Sequence, residues 1–261
     1  MKFRVISDVH NEFYSGGHFD LAVIDDEKEM CLIMAGDIGL LGKPYTYESF
    51  VEEMCSRHKY VFWVEGNHEW YHGNIDKQSV KKVIEKLNLK NLYTSTFDLE
   101  EEKIILIGKT LWTDFDDGDP MVLFDSNMRM NDYNLIKKGS EYSKFKAENA
   151  MALHYIQKRK IFEDVAEFKK KDYTVIVVTH HHPSFKGVKE EYKGDSLNGA
   201  YCSDLSKLII EHKPDYWICG HIHKAQVYSI GETIVYCNPV GYPGEYGVFF
   251  EKSFYFEAKK N

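Results

Sequence analysis

The chain has 261 residues, 33 basic against 41 acidic for a net charge of −8 with histidine neutral, and 43% of it is apolar. That is enough for a sizeable core, and it excludes a disordered, collagenous or disulfide-stapled chain. The acidic balance argues against broad attraction to nucleic-acid phosphates or an anionic membrane. In chain order, short apolar runs predict strands over 2–7, 30–35 and 60–65. Helical spacing covers 46–58, with Phe50, Val51 and Met54 on one face, and returns over 75–87. Shorter strands are expected around Leu92 and Phe97, then over 103–108 and near 111–115. Residues 140–171 read as one long helix, or two in succession, with a charged outer face. A β-branched strand over 173–179 and a helix over 203–212 follow. Strands at Tyr216–Cys219, 226–229, Thr233–Cys237, 248–251 and 254–257 close the chain. Strand–helix alternation followed by a helix-poor tail predicts two packed sheets with helices outside, and the absence of a linker or repeat favours one domain over 1–261.

Five cysteines, Cys31, Cys55, Cys202, Cys219 and Cys237, include no CxxC pair. They read as reduced residues of a cytoplasmic protein, several of them in buried strands. The opening Met-Lys-Phe-Arg lacks a signal-peptide core, and no stretch approaches the roughly 18 apolar residues of a membrane span. The lysine runs 169–171 and 259–260 read as solvated ends.

Polar clusters stand where the strands end: Asp8-Val9-His10, Gly36-Asp37, Gly66-Asn67-His68-Glu69, Thr179-His180-His181-His182-Pro183 and Gly220-His221-Ile222-His223. Ligands of α/β sheets bind beyond the carboxyl ends of strands, so five such clusters can converge on one crevice. Carboxylates and imidazoles without thiolates suit manganese, iron, zinc or nickel rather than a structural zinc or an iron–sulfur centre. Asp-x-His and His-x-His place their outer residues on one side of an extended strand end. Gly36, Gly66 and Gly220 allow sharp turns and close approach. Each cluster alone is weak, and Gly-Asn-His-Glu could be a plain turn. The ordered set carries the information.

Taken in order, these motifs resemble the calcineurin-like metallophosphoesterase superfamily from Asp8 to His223, and the trailing strands agree. The resemblance implies an α/β fold, a four-layer αββα sandwich of two mixed sheets flanked by helices. It also implies two divalent ions, manganese first and iron, zinc or nickel as alternatives. Asp8, His10 and His223 would hold one ion and Asn67, His180 and His221 the other, with Asp37 bridging both. His180 is taken over the alternative His181 because it directly follows the strand and matches the first histidine of the family's His-His-x-Pro form. Glu69 stands where the family commonly has Asp and is not expected at the metals.

By the same resemblance, a hydroxide bridging ions about 3.5–4 Å apart attacks phosphorus in line. His68 is then the acid that protonates, or hydrogen-bonds to, the leaving alkoxide. The expected substrate is a small phosphate ester, a nucleotide, cleaved as monoester or diester. Substrate contacts are assigned to Arg129, Tyr242 and Asn238, the last two in a Pro- and Gly-shaped loop similar to one in small bacterial and phage members. Tyr133 or Trp112 could stack on a base, and Trp70 and Tyr71 suggest an aromatic wall, with His72 read as a surface residue. The rivals are a nuclease, for which no basic stripe is present, a protein phosphatase without a recognisable regulatory segment, and an inactive metal-binding interaction scaffold. Retention of every ligand type together with His68 argues against the scaffold.

Overall fold

The apolar strands send alternate side chains into different layers, and this alternation builds the molecule. The computed structural model describes residues 1–15, 17–77 and 88–259. From residue 78 on, the helix expected over 75–87 lies outside the described residues, as does Lys260. The elements are β1 (Lys2–Ile6), β2 (Cys31–Ala35), α1 (Glu48–Arg57), β3 (Tyr60–Val64), β4 (Leu89–Asn91), β5 (Phe97–Leu99), β6 (Ile104–Lys109), α2 (Phe115–Gly118), α3 (Pro120–Arg129) and α4 (Asp132–Leu135). They continue with β7 (Lys137–Lys138), β8 (Ser143–Lys144), α5 (Ala147–Lys170), β9 (Thr174–Thr179), α6 (Asn198–Tyr201), α7 (Ser206–His212), β10 (Tyr216–Cys219), β11 (Gln226–Ile230), β12 (Thr233–Cys237) and β13 (Tyr255–Glu257). No helix among the described residues is long and apolar enough to cross a membrane.

One sheet runs β13-β1-β2-β3-β4 and the other β11-β12-β10-β9-β6-β5. Both are parallel inside, with antiparallel edges at β13, β11 and β5. Three apolar layers result. Leu32, Met34, Val61 and Trp63 face Phe50, Val51 and Met54 of α1. Phe3, Val5, Ile33 and Phe62 meet Leu106, Ile176, Val178 and Ile218 between the sheets. Ile105, Val175, Val177 and Trp217 face Ile161, Phe162 and Val165 of α5 and Ile209 of α7. The order is helix, sheet, sheet, helix, the four-layer sandwich that the motifs imply. Strands covered on both faces read as continuous apolar runs, which is why they are visible in the sequence.

Three expected elements differ. The run 111–115 is not a strand but a largely buried loop that enters α2 at Phe115, because Leu111, Trp112 and Phe115 all take positive φ (73°, 46° and 55°). Its backbone is satisfied from α5, where Gln157 Oε1 accepts from Leu111 N at 2.8 Å and His154 Nδ1 lies 3.0 Å from Leu111 O. Hydropathy reports burial, and a buried loop scores like a strand. The long helix begins only at Ala147, since the chain before it folds back as β7 and β8, with Gly139 and Tyr142 at φ 71° and 54°. Residues 248–251 form no strand: Phe249 has φ 59°, and Glu251 N is taken by the Asn238 side chain at 3.0 Å. A helix absent from the expectations, α3, has its signal in Asp119-Pro120. The Asp119 carboxylate accepts from Met121 N (2.7 Å) and Val122 N (3.3 Å), and Pro120 occupies the first helical position.

At the carboxyl ends the two sheets are tied together. Ser7 pairs with Pro239, Val240 N donates to Ser7 O and Gly241 N to Asp8 O, both at 2.9 Å. Elsewhere, buried Glu27 joins Arg4 of β1 to Arg57 of α1, accepting Arg57 Nε and Nη2 at 2.9 Å each and an Arg4 amino group. Glu27→Ala would leave the fully buried Arg4 guanidinium without its carboxylate, while Arg57 keeps Glu53. A loss of about 3–5 kcal/mol is expected in denaturant unfolding.

Candidate active site

All five clusters converge, but not by strand alternation. Asp8, His10, Asp37, His221 and His223 lie in the left-handed region, with φ of 52°, 51°, 56°, 70° and 51°. Such residues cost on the order of 1 kcal/mol each and persist where the surroundings over-determine them. Here Asp8 N donates to Gly36 O and His10 N to Asp37 O, both at 2.9 Å, while the Asp8 carboxylate accepts from His221 N at 2.9 Å. Successive left-handed turns aim Asp8 and His10 at one point. A Cβ on Gly36 (φ 88°) would strike the His180 ring, and one on Gly66 would strike the Asp37 carboxylate. Both glycines are required by close approach.

Two sets of donors result. In one, His10 Nε2 lies 3.1 Å from His223 Nε2, and His223 Nε2 lies 3.3 Å from Asp8 Oδ1. In the other, His180 Nε2 lies 3.0 Å from Asn67 Oδ1, 3.2 Å from His221 Nδ1 and 3.3 Å from Asp37 Oδ2. Asp37 Oδ2 is also 3.9 Å from His10 Nε2, so one carboxylate oxygen faces both sets. All of these side chains are buried or nearly so.

The chemistry of the donors fits metal ions. His180 Nδ1 lies 2.9 Å from Ala35 O, His223 Nδ1 2.6 Å from Glu245 Oε2 and His10 Nδ1 3.3 Å from Glu12 Oε1. Each of those oxygens only accepts, so each Nδ1 carries a proton and each Nε2 is left to present a lone pair to a cation or to take a second proton in its absence. Lone pairs of His10 and His223 then face each other, and that of His180 faces Asn67 and Asp37. Such an arrangement is repulsive until a cation or a proton enters, and an outer partner on each histidine is the usual support of a metal ligand. Burial opposes charge on both His180 and His223, yet Asp37 outweighs it at the first and Asp8 with Glu245 at the second. Their pKa values rise to about 9 and about 10.

The match to a known family covers residues 1–225, and the family is that of calcineurin-like phosphoesterases. The chain belongs to the calcineurin-like phosphoesterase family. An uncharacterized protein of Acanthamoeba polyphaga mimivirus is 27% identical over 93% of this chain and 91% of its own length. Among solved structures, a phosphopantetheinyl hydrolase from Mycobacterium tuberculosis superposes with a TM-score of 0.67 at 14% identity, covering 95% of this chain and 94% of that one. A candidate 5'-nucleotidase from Staphylococcus aureus gives 0.52 at 16% identity, with 91% of this chain and 48% of that one covered. As a calcineurin-like phosphoesterase the protein is a hydrolase of ester bonds, and its fold carries candidate metal-binding clusters where the family motifs fall.

Within this phosphoesterase, His68 sits beside the donors without pointing into either set. Its backbone N–H donates to Asp37 Oδ1 at 2.9 Å, its ring stacks on Tyr71 at 4.1 Å, Nε2 lies 3.3 Å from Tyr242 Oη and Nδ1 lies 2.8 Å from Glu12 Oε1. Burial lowers the His68 pKa, but Asp37 and Glu12 outweigh it and the net shift is upward. Burial likewise raises Glu12, and hydrogen bonds from His10 and His68 outweigh that, holding its carboxyl at about 2. Glu12→Gln is expected to lower both kcat and metal affinity about 10–100-fold, read by steady-state kinetics and metal titration.

A cavity of about 510 Å³ opens over the donors, and Arg129 and Tyr242 are among the residues that line it. Asn238 is not brought there. Its amide donates to Val5 O (2.9 Å) and Glu251 O (3.0 Å), holding the strand ends together. Tyr133 and Trp112 are packed in the core around Phe145 and offer no face for a base. Glu69 accepts from Asp37 N, Ile38 N and Gly66 N at 2.8–2.9 Å, bracing the loops from behind. The three consecutive histidines diverge: His180 enters the second donor set, His181 lies 3.3 Å from Thr110 O and packs on Trp112, and His182 turns away. Glu12 and Glu245 are missing from the sequence reading. Glu12 stands two residues after His10, but only the fold shows what it touches.

Proposed function

We propose that residues 1–261 form one catalytic domain, a dinuclear-metal phosphoesterase that hydrolyses a small phosphate ester of the nucleotide class. The observation that carries this reading is the pair of donor sets sharing Asp37 Oδ2. Asp8, His10 and His223 would hold one divalent ion and Asn67, His180 and His221 the second, with Asp37 between them. Manganese is the first assignment on the carboxylate and amide oxygens, and the imidazoles suit iron, zinc or nickel as the alternatives. Two such ions supply Lewis-acid polarisation of the phosphoryl oxygens and a water that ionises near neutral pH.

The chain's own side chains orient the ester and manage the proton. His68 lines the cavity and is held at Nδ1 by an ionised Glu12, so it is placed to protonate the leaving alkoxide. Arg129 and Lys189 at the rim bring positive charge toward a phosphate, and Tyr192, Tyr201 and Tyr242 offer aromatic faces to a base. A cavity of this size supports a ligand of small-molecule dimensions rather than a long polymer. Five free cysteines support a reducing, cytoplasmic setting.

Purified protein loaded with Mn²⁺ should hydrolyse p-nitrophenyl phosphate or bis-p-nitrophenyl phosphate, lose that activity on chelation and regain it on metal return. Nucleoside 5'-monophosphates, cyclic nucleotides and short oligonucleotides assayed side by side then test the substrate class. Turnover confined to oligonucleotides would replace the nucleotide reading by a nuclease. Full metal loading without hydrolysis of any ester would leave a binding scaffold.

A further inference from the structure

The third histidine of the triple run leads to a separate cluster. His182 Nε2 lies 3.2 Å from Cys237 Sγ and 3.5 Å from Cys219 Sγ, and the two sulfurs are 3.0 Å apart. The cysteines face each other in register across the parallel pair β10–β12, on the side of the sheet turned to α5 and α7. All three residues are buried. The sulfurs are too far apart for a disulfide, whose bond is about 2.05 Å.

We infer that His182, Cys219 and Cys237 form a third metal site, which takes one zinc ion in a structural role distinct from the proposed dinuclear centre. The ring is oriented for it. His182 Nδ1 lies 3.3 Å from Tyr228 Oη, which can accept its proton and leave the Nε2 lone pair toward the sulfurs, the outer support typical of a ligating histidine. Gly187 closes the other side, where a Cβ would strike the His182 ring. Two soft thiolates and a borderline imidazole are donors that zinc takes, and with three protein donors the fourth position of the ion is left for a water, so the site differs from four-ligand structural zinc. Zinc binding releases both thiol protons to solvent, and Zn²⁺ with two thiolates is neutral, which suits apolar surroundings. A cuprous ion in their place would leave a buried net negative charge.

The position gives the ion a purpose. His182 follows His180 by two residues, Cys219 precedes His221 by two and Cys237 precedes Asn238, so the ion would pin the ends of β9, β10 and β12 beneath the catalytic loops. Cys202 stands outside the set, its thiol 3.2 Å from Asn198 O.

Cobalt substitution tests this independently of catalysis, because only thiolate ligation produces a near-ultraviolet sulfur-to-cobalt charge-transfer band. Metal-stripped, reduced protein titrated with Co²⁺ should develop that band to the amplitude of one thiolate-bound cobalt per chain, complete by about three equivalents because the dinuclear centre also fills, and Zn²⁺ should abolish it. The band should persist in full in Asp37→Ala and Cys202→Ser. It should vanish in Cys219→Ser/Cys237→Ser, with His182→Asn giving a weakened band if the double variant fails to fold. Absence of the band at excess cobalt, with both thiols still reduced, would overturn the site, as would its survival in the double variant. Stoichiometric binding of Cu⁺ with no displacement by Zn²⁺ would overturn the zinc assignment.

Discussion

Asp37→Ala is expected to lose bound metal and phosphoesterase activity together. Its Oδ2 is 3.3 Å from His180 Nε2 and 3.9 Å from His10 Nε2, so it is the donor that the two proposed metal positions share. Removing it deletes a negative charge from a buried cluster that otherwise holds one other carboxylate of the proposed ligands, Asp8. The substitution also removes the charge that holds the His180 pKa up, so proton competition falls and any loss of metal reports the missing ligand itself. A fall in kcat/KM on the order of 10³-fold or more is expected, with metal content dropping in parallel in elemental analysis. Because Asp37 Oδ1 also accepts the His68 backbone N–H at 2.9 Å, Asp37→Asn keeps a hydrogen-bond acceptor there and separates loss of metal from loss of local structure. An Asp37→Ala protein that still bound two ions per chain would remove the basis of the shared-ligand assignment.

His68→Ala should behave in the opposite way, keeping both ions while losing about 10²–10⁴-fold in kcat on an alkyl phosphate. The ring contacts neither donor set through hydrogen bonds; its nitrogens go to Glu12 and Tyr242. An aryl phosphate, whose leaving group needs little protonation, should suffer far less. The upward shift of the His68 pKa gives a second readout. An acid must be protonated to act, so kcat on the alkyl ester should fall as pH rises through that pKa, and the alkaline limb should be missing from His68→Ala. Loss of both metals in His68→Ala would instead make this residue part of the metal-holding structure.

These two predictions rest on residues that are visible in the sequence, and the reason is physical. A metal centre needs several ionisable or imidazole side chains at chain ends that can bend, so Asp37, Asn67, His180 and His221 each stand beside a glycine or a strand terminus, with Asp8 and His223 two and three residues from one. Covered strands are equally legible, since Cys31–Ala35 is apolar at every position and Thr174–Thr179 at all but its two threonine ends. Less legible is anything decided by side-chain contact across the chain. Glu12 and Glu245 are ordinary surface-type residues until folding brings them against His68, His10 and His223. Asn238, in a loop shaped like a binding segment, spends its amide on Val5, Glu251 and the sheet edge instead.

By itself the sequence determined the family, the layered α/β architecture and the set of candidate ligands, because hydropathy and motif order are local properties of the chain. Tertiary structure alone decided how those ligands meet. Left-handed backbone at five of the site residues, rather than strand alternation, turns Asp8 and His10 inward. It also decided which histidine of His180, His181 and His182 goes where. Neighbours in sequence leave a strand end in different directions, and each direction ends in a different environment: a carboxylate cluster, a carbonyl and an indole, and a pair of thiols.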